Sequence, residues 1–72
     1  MNNSEIIFLI EEDPDGGYNA KALGYSIFTQ SDSWEELEQN IKEATHLYFE
    51  EKDSTIPKII RLHFVKEKVI SN

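Results

Sequence analysis

Two histidines, His46 and His63, are the chain's imidazoles, the side chains most often used to move a proton or hold a metal. Six glutamates, Glu35, Glu36, Glu38, Glu43, Glu50 and Glu51, crowd one stretch of the chain. Paired carboxylates could serve as general acid and base, and histidines with acids could hold a metal. The spacing argues against both. Two histidines without a third clear ligand do not make a zinc site, and a solvated helix face carries glutamates in this manner. A nucleophile beside a base is not evident. His63 with Arg61 or the helix carboxylates is the remaining enzymatic arrangement, and it is the weakest of the readings. Asp13-Pro14-Asp15-Gly16-Gly17 resembles part of a calcium loop, but its glycine follows the second aspartate directly and the distal glutamate is missing. The same glycines lack the Lys-Ser or Lys-Thr of a phosphate-binding loop. The expectation is a protein that is not an enzyme, with no cofactor and no metal.

A chain of 72 residues makes one domain, with residues 1–4 and 71–72 expected to fray. A core this small rarely supplies more than ~3–5 kcal/mol unaided, and the chain has no cysteine to add a disulfide. The formal net charge is -7, which disfavours direct nucleic-acid binding. Every acid except Glu67 precedes residue 54, beside Lys21, Lys42 and Lys52 alone. Such an acidic body attracts a basic protein. No apolar run reaches the ~20 residues of a membrane span, and the start lacks the basic region of a secretion signal. A cytoplasmic protein without a membrane role is expected.

The element that must position everything else is a helix over 33–51. Trp34, Leu37, Ile41, Ala44 and Tyr48 fall on one stripe at spacings of three and four. Ser33 and Glu36 have the spacing of a capping box, and the early glutamates suit the positive end of the helix dipole. Before it come three strands. Residues 5–11 enclose Ile6-Ile7-Phe8-Leu9-Ile10, apolar on both faces. The Pro-Asp-Gly-Gly turn returns the chain along 18–23, and Gly24 separates a third strand over 25–30. Pro57 ends any helix, and residues 58–70 read as the last strand. The order is βββαβ in an α+β fold. A meander followed by a right-handed crossover gives a four-stranded mixed sheet in the order 3-2-1-4, with one helix on one face.

One helix covers one face. The other face still carries apolar residues of the first and last strands, with Phe28 or Tyr25. Patches of that kind mark interfaces, so a homodimer or higher oligomer is expected, through the open face or the edge strands. If the helix takes Ile6, Phe8 and Ile10, the interface residues are Ile7, Leu9, Ile59, Arg61, His63 and Val65. The alternation in the first strand leaves the opposite assignment open.

Several short segments resemble the HicB-like family of small antitoxin-type domains. They are Asp15-Gly16-Gly17-Tyr18 with Ala20, Thr29-Gln30-Ser31-Asp32-Ser33, Glu35-Glu36-Leu37, Asn40-Ile41, Glu43-Ala44 and Ile56-Pro57. They are similar to that family's Asp-Gly-Gly-Tyr hairpin, its Thr-x-Gly-Asp-Thr helix entry and its Glu-Ala helix repeats, over most of residues 6–57. Ser31 stands where the family usually has glycine. The resemblance implies a degraded RNase H-like fold. It also implies a partner, a small basic RNA-cleaving toxin (HicA), which the domain neutralises. RNase H-like nucleases place metal-binding acids on the first strand, the helix and the fourth strand. Here the strand centres are Ile7-Phe8-Leu9 and Arg61-Leu62-His63, without the carboxylates that two-metal catalysis needs. Family members often add a C-terminal DNA-binding domain, for which a chain ending at Asn72 has no room. Ala22–Thr29 and Pro57–Phe64 look like a short, single-domain branch. Short relatives of that branch sometimes carry the name of a branched-chain 2-oxoacid dehydrogenase. Nothing in this sequence could bind thiamine diphosphate or form that enzyme's fold.

Overall fold

Residues 4–66, 70 and 71 are described by a computed structural model. Strands β1 (Glu5–Glu12), β2 (Tyr18–Ala22) and β3 (Phe28–Ser31) precede helix α1 (Trp34–Glu51), and β4 (Ile59–Phe64) closes the chain's described fold. The sheet order is β3-β2-β1-β4, as expected. β1 pairs antiparallel with β2 and parallel with β4. Its place between two strands explains why it can be apolar on both sides: each of its faces lies in the middle of the sheet.

Alternation decides which side meets the helix. Ile6, Phe8 and Ile10 are buried, with Ala20 and Ala22 from β2, Ile27 from the loop before β3, and Leu37, Ile41 and Phe49 from α1. The helix lies closest to β3 and β2, where the alanines leave room for it. Two aromatic groups close the ends of this core. At one end Phe64 stacks on Trp34 at 5.8 Å, and Tyr18 meets Trp34 edge-on at 5.3 Å. At the other, Tyr25 packs edge-on against Tyr48 and Phe49. Edge-to-face pairs of this kind add to the area they bury.

Several expected details differ. The buried line of α1 runs Leu37, Ile41, Thr45, Phe49, while Trp34, Ala44 and Tyr48 border it half-buried. Ser33 Oγ accepts from the Glu36 amide at 3.2 Å, so the cap forms, but the described hydrogen bonds include no return from the Glu36 carboxylate. The third strand starts at Phe28 rather than Tyr25. The last strand ends at Phe64, and the part of the expected extension at 67–69 lies outside the described residues.

The β1–β2 connection spans five residues. Gly16 N–H donates to the Asp13 carbonyl at 2.9 Å and Asp13 N–H to the Gly17 carbonyl at 3.0 Å. Asp13 Oδ1 also accepts from the Asp15 amide at 2.9 Å, an Asx turn. Gly17 sits at φ 87°, and a Cβ there would lie 2.6 Å from the Ser31 carbonyl oxygen. Only glycine lets the hairpin close on the strand that feeds the helix.

Candidate interaction surface

The face of the sheet away from α1 carries Glu5, Ile7, Leu9 and Glu11 of β1, Asn19 and Lys21 of β2, Phe28 and Gln30 of β3, and Ile59, Arg61 and His63 of β4. The register sets them in rows. Leu9 lies between Lys21 and His63, and Phe28 lies beyond Lys21. Ile7 is level with Arg61, and Glu5 with Ile59. Val65 follows His63 past the strand end, its amide donating to the Ile10 carbonyl at 2.8 Å. All six residues expected at an interface, Ile7, Leu9, Ile59, Arg61, His63 and Val65, therefore share this one face.

The face is less apolar than the unbroken β1 run implies. Ile7 and Leu9 are half-buried; Leu9 has Lys21 and His63 on either side, and Ile7 has Arg61 on one side and Leu23, whose amide donates to the Ile7 carbonyl at 2.9 Å, on the other. The exposed apolar groups are at the margins, Phe28 at 61%, Ile59 at 48% and Leu23 at 45%. Tyr25, the alternative to Phe28, belongs to the core instead. The result is a face of mixed apolar and polar groups, as non-obligate protein interfaces are when taken whole.

Arg61 Nε donates to Glu5 Oε2 across the β1–β4 seam. That hydrogen bond holds the Glu5 carboxyl below the usual carboxylate range, against a smaller opposing effect of burial, with the arginine's charge adding to it. The same bond raises Arg61. Arg61 is exposed and Glu5 partly so, so the pair orients Arg61 more than it stabilises the fold.

The other chemical candidates are scattered. His63 points from the open face, whereas His46 is exposed on the helix that covers the opposite face. A polar cleft between the hairpin and the start of α1 is lined by Asp13, Asp15, Asp32, Glu36 and Asn40, among others. Asn40 Nδ2 donates there to Ser31 Oγ at 2.7 Å, tying the helix to β3. Among the described residues no group of three or more acids and histidines could hold a metal ion. Where RNase H-like nucleases place acids on two adjacent strands, the register sets Ile7, Phe8 and Leu9 beside Arg61, Leu62 and His63. No described helix is long and apolar enough to cross a membrane.

A UPF0150 protein of Thermotoga maritima is 46% identical over 67 residues, 93% of this chain and 91% of that protein. The chain belongs to the UPF0150 family. A UPF0150 protein of Archaeoglobus fulgidus is 56% identical over 46 residues, 64% of this chain and 68% of its own. No family model matches the chain, and no solved structure matches it. The relatives' name states no reaction, ligand or partner.

Sequence reasoning missed the part that β2 and β3 play in this surface. Nothing local marks Asn19, Lys21 and Gln30 as part of it; the register does, by setting Lys21 against Leu9. The signal was present in the parity of β2, since Ala20 and Ala22 face the helix and their neighbours must face away.

Proposed function

We propose that this chain is a non-catalytic protein-interaction domain of the HicB-like type, and that its partner is a small basic RNA-cleaving toxin which it neutralises. The observation that carries this reading is the helix-free face, where Ile7 and Leu9 lie among Lys21, Arg61 and His63, with exposed Phe28 and Ile59 at the margins. Acids of the hairpin and of α1 supply long-range attraction for a basic molecule. The open face supplies the contact area, with Ile7 and Leu9 near its centre and Lys21 seeking an acceptor on the partner. The chemistry absent from the paired strand centres fits a binding role on a fold shared with nucleases. A second reading, a self-associating domain with another role, is favoured by the unguarded β4 edge.

The test is a pull-down from the native host with mass spectrometry, using the natural chain and the Leu9→Lys variant, with circular dichroism to confirm that the variant folds. A small basic protein retained by the natural chain and lost from the variant is the expected result. No such protein, or equal retention by both chains, would contradict the reading.

A further inference from the structure

β4 is the outer strand of the sheet on one side, and among the described residues nothing pairs with its far edge. Which of its backbone groups are free follows from the ladder. The amides of Ile59 and Val65 donate to the Ser4 and Ile10 carbonyls, so in this parallel pair the odd residues turn their N–H and C=O toward β1. The even residues Ile60, Leu62 and Phe64 turn theirs outward. Natural edges are guarded by lysine, proline, bulges or inward charges. None of these stands at the three outward positions; Pro57 and Lys58 come before the strand. The other edge, β3, is only four residues long.

The side chains along this edge are also incompletely covered. Because α1 lies closest to β3 and β2, Ile60 and Leu62 are only half-buried and line a shallow groove with Ile41, bordered by Glu38 and Lys42. Phe64 is 38% and Ile59 48% exposed.

We propose that two copies of this chain join antiparallel through their β4 edges, about a two-fold axis passing between their Leu62 residues. This rests on the self-associating reading and adds to it the edge, the register and the residues that meet. The register is chosen by two constraints. Outward groups must face outward groups, which allows a pairing centred on Leu62, on Arg61 or on His63. The alternatives centre on Arg61 and on His63; centring on Arg61 sets two guanidinium groups directly opposite each other, and like charges in that position destabilise a sheet. Each of those registers also leaves one outward residue without a partner. Centring on Leu62 pairs all three: Leu62 with its copy, and Ile60 with Phe64 in both directions. On the open face it sets Ile59 beside Val65 of the second copy, and Arg61 beside His63. Apolar groups thus meet apolar groups at every other place along the seam. The two-fold axis stands perpendicular to the sheet, so both helices lie on one side and both open faces on the other. The dimer is an eight-stranded sheet, closed by an isologous contact, and its open face remains free for a different protein.

The absence of cysteine from the chain allows a direct test. Chains carrying Ile59→Cys and chains carrying Val65→Cys are prepared separately, then mixed, allowed to exchange and oxidised. The natural chain is measured by light scattering across a concentration series. The expected results are a mass rising to twice the 8.4 kDa of the chain, and a disulfide in the mixture that neither variant forms alone. Ile59 and its own symmetry mate would be roughly 20 Å apart, six residues along the strand, beyond the reach of a disulfide. A monomer at all concentrations would overturn both the edge contact and the self-associating reading. A dimer without the mixed disulfide would overturn the edge contact alone. Arg61→Cys linking to its own copy, without the mixed link, would overturn the register.

Discussion

Thr45 is fully buried on the core side of α1, and its Oγ1 has no hydrogen-bond partner. A hydroxyl taken out of water without a partner costs about 1–3 kcal/mol. Valine has the same branched shape and a similar helix propensity, so Thr45→Val removes that penalty and opens no cavity. The expected gain is about 1–2 kcal/mol, which in a domain of this size raises the melting temperature by at least ~4 °C. Thr45→Ala is the control. It removes the hydroxyl and also a buried methyl worth about 0.8 kcal/mol, so it should fall well short of valine. Thermal unfolding followed by far-UV circular dichroism measures both. Protein concentration must be matched between samples, since self-association would make the midpoint concentration-dependent. A valine variant no more stable than the natural chain would refute the reasoning. It would mean that the hydroxyl is satisfied in solution, for instance by the carbonyl one turn back along the helix.

Gly17→Ala should destabilise the domain by about 2–3 kcal/mol: a left-handed residue other than glycine costs ~1–2 kcal/mol, and the new Cβ would meet the Ser31 carbonyl. The midpoint of urea unfolding measures this. Asp53, at φ 53°, follows the C-cap of α1, with its amide bonded to the Glu50 carbonyl and the Ser54 amide to that of Phe49. That is a Schellman motif with an acid in the glycine position and at the negative end of the dipole. Asp53→Gly should therefore stabilise by about 0.5–1 kcal/mol in calorimetry. The Glu5 carboxyl, held low by Arg61, contributes stability that is present above the ordinary carboxylate pKa and lost as pH falls through its lowered value. Natural chain and Glu5→Gln should differ slightly at neutral pH and converge in acid, as pH-dependent unfolding midpoints would show; a gap that widens in acid would reverse the sign.

The sheet order was legible because of one segment. Ile6 to Ile10 can satisfy apolar groups on both sides only from a central strand, and a helix after a three-strand meander leaves the place beside β1 for β4. The helix was legible in extent, from Ser33 to the polar exit, but not in its exact face. Thr45 looks polar in sequence, yet it holds the i+4 line from Ile41 to Phe49. Reading Ala44 and Tyr48 as the core instead turned the face by part of a turn. The start of the third strand was misplaced for a related reason. Ile27 is buried and its carbonyl accepts from the Ala22 amide at 3.0 Å, so it alternates with Thr29 as a strand residue would, although the ladder begins at Phe28. The open-face set followed from parity along β1 and β4. Its polar groups from β2 and β3 did not, because the neighbours of Leu9 are fixed by register between strands, which local patterns do not encode.

The central claim is that the helix-free face meets another protein. Thiol labelling in the native host tests it most directly, using Lys21→Cys on that face, away from the β4 edge, and Glu43→Cys on the exposed side of α1. The account predicts that Lys21→Cys reacts more slowly in cells than in purified protein, while Glu43→Cys reacts at a similar rate in both. Equal labelling of Lys21→Cys in cells and in isolation would contradict it.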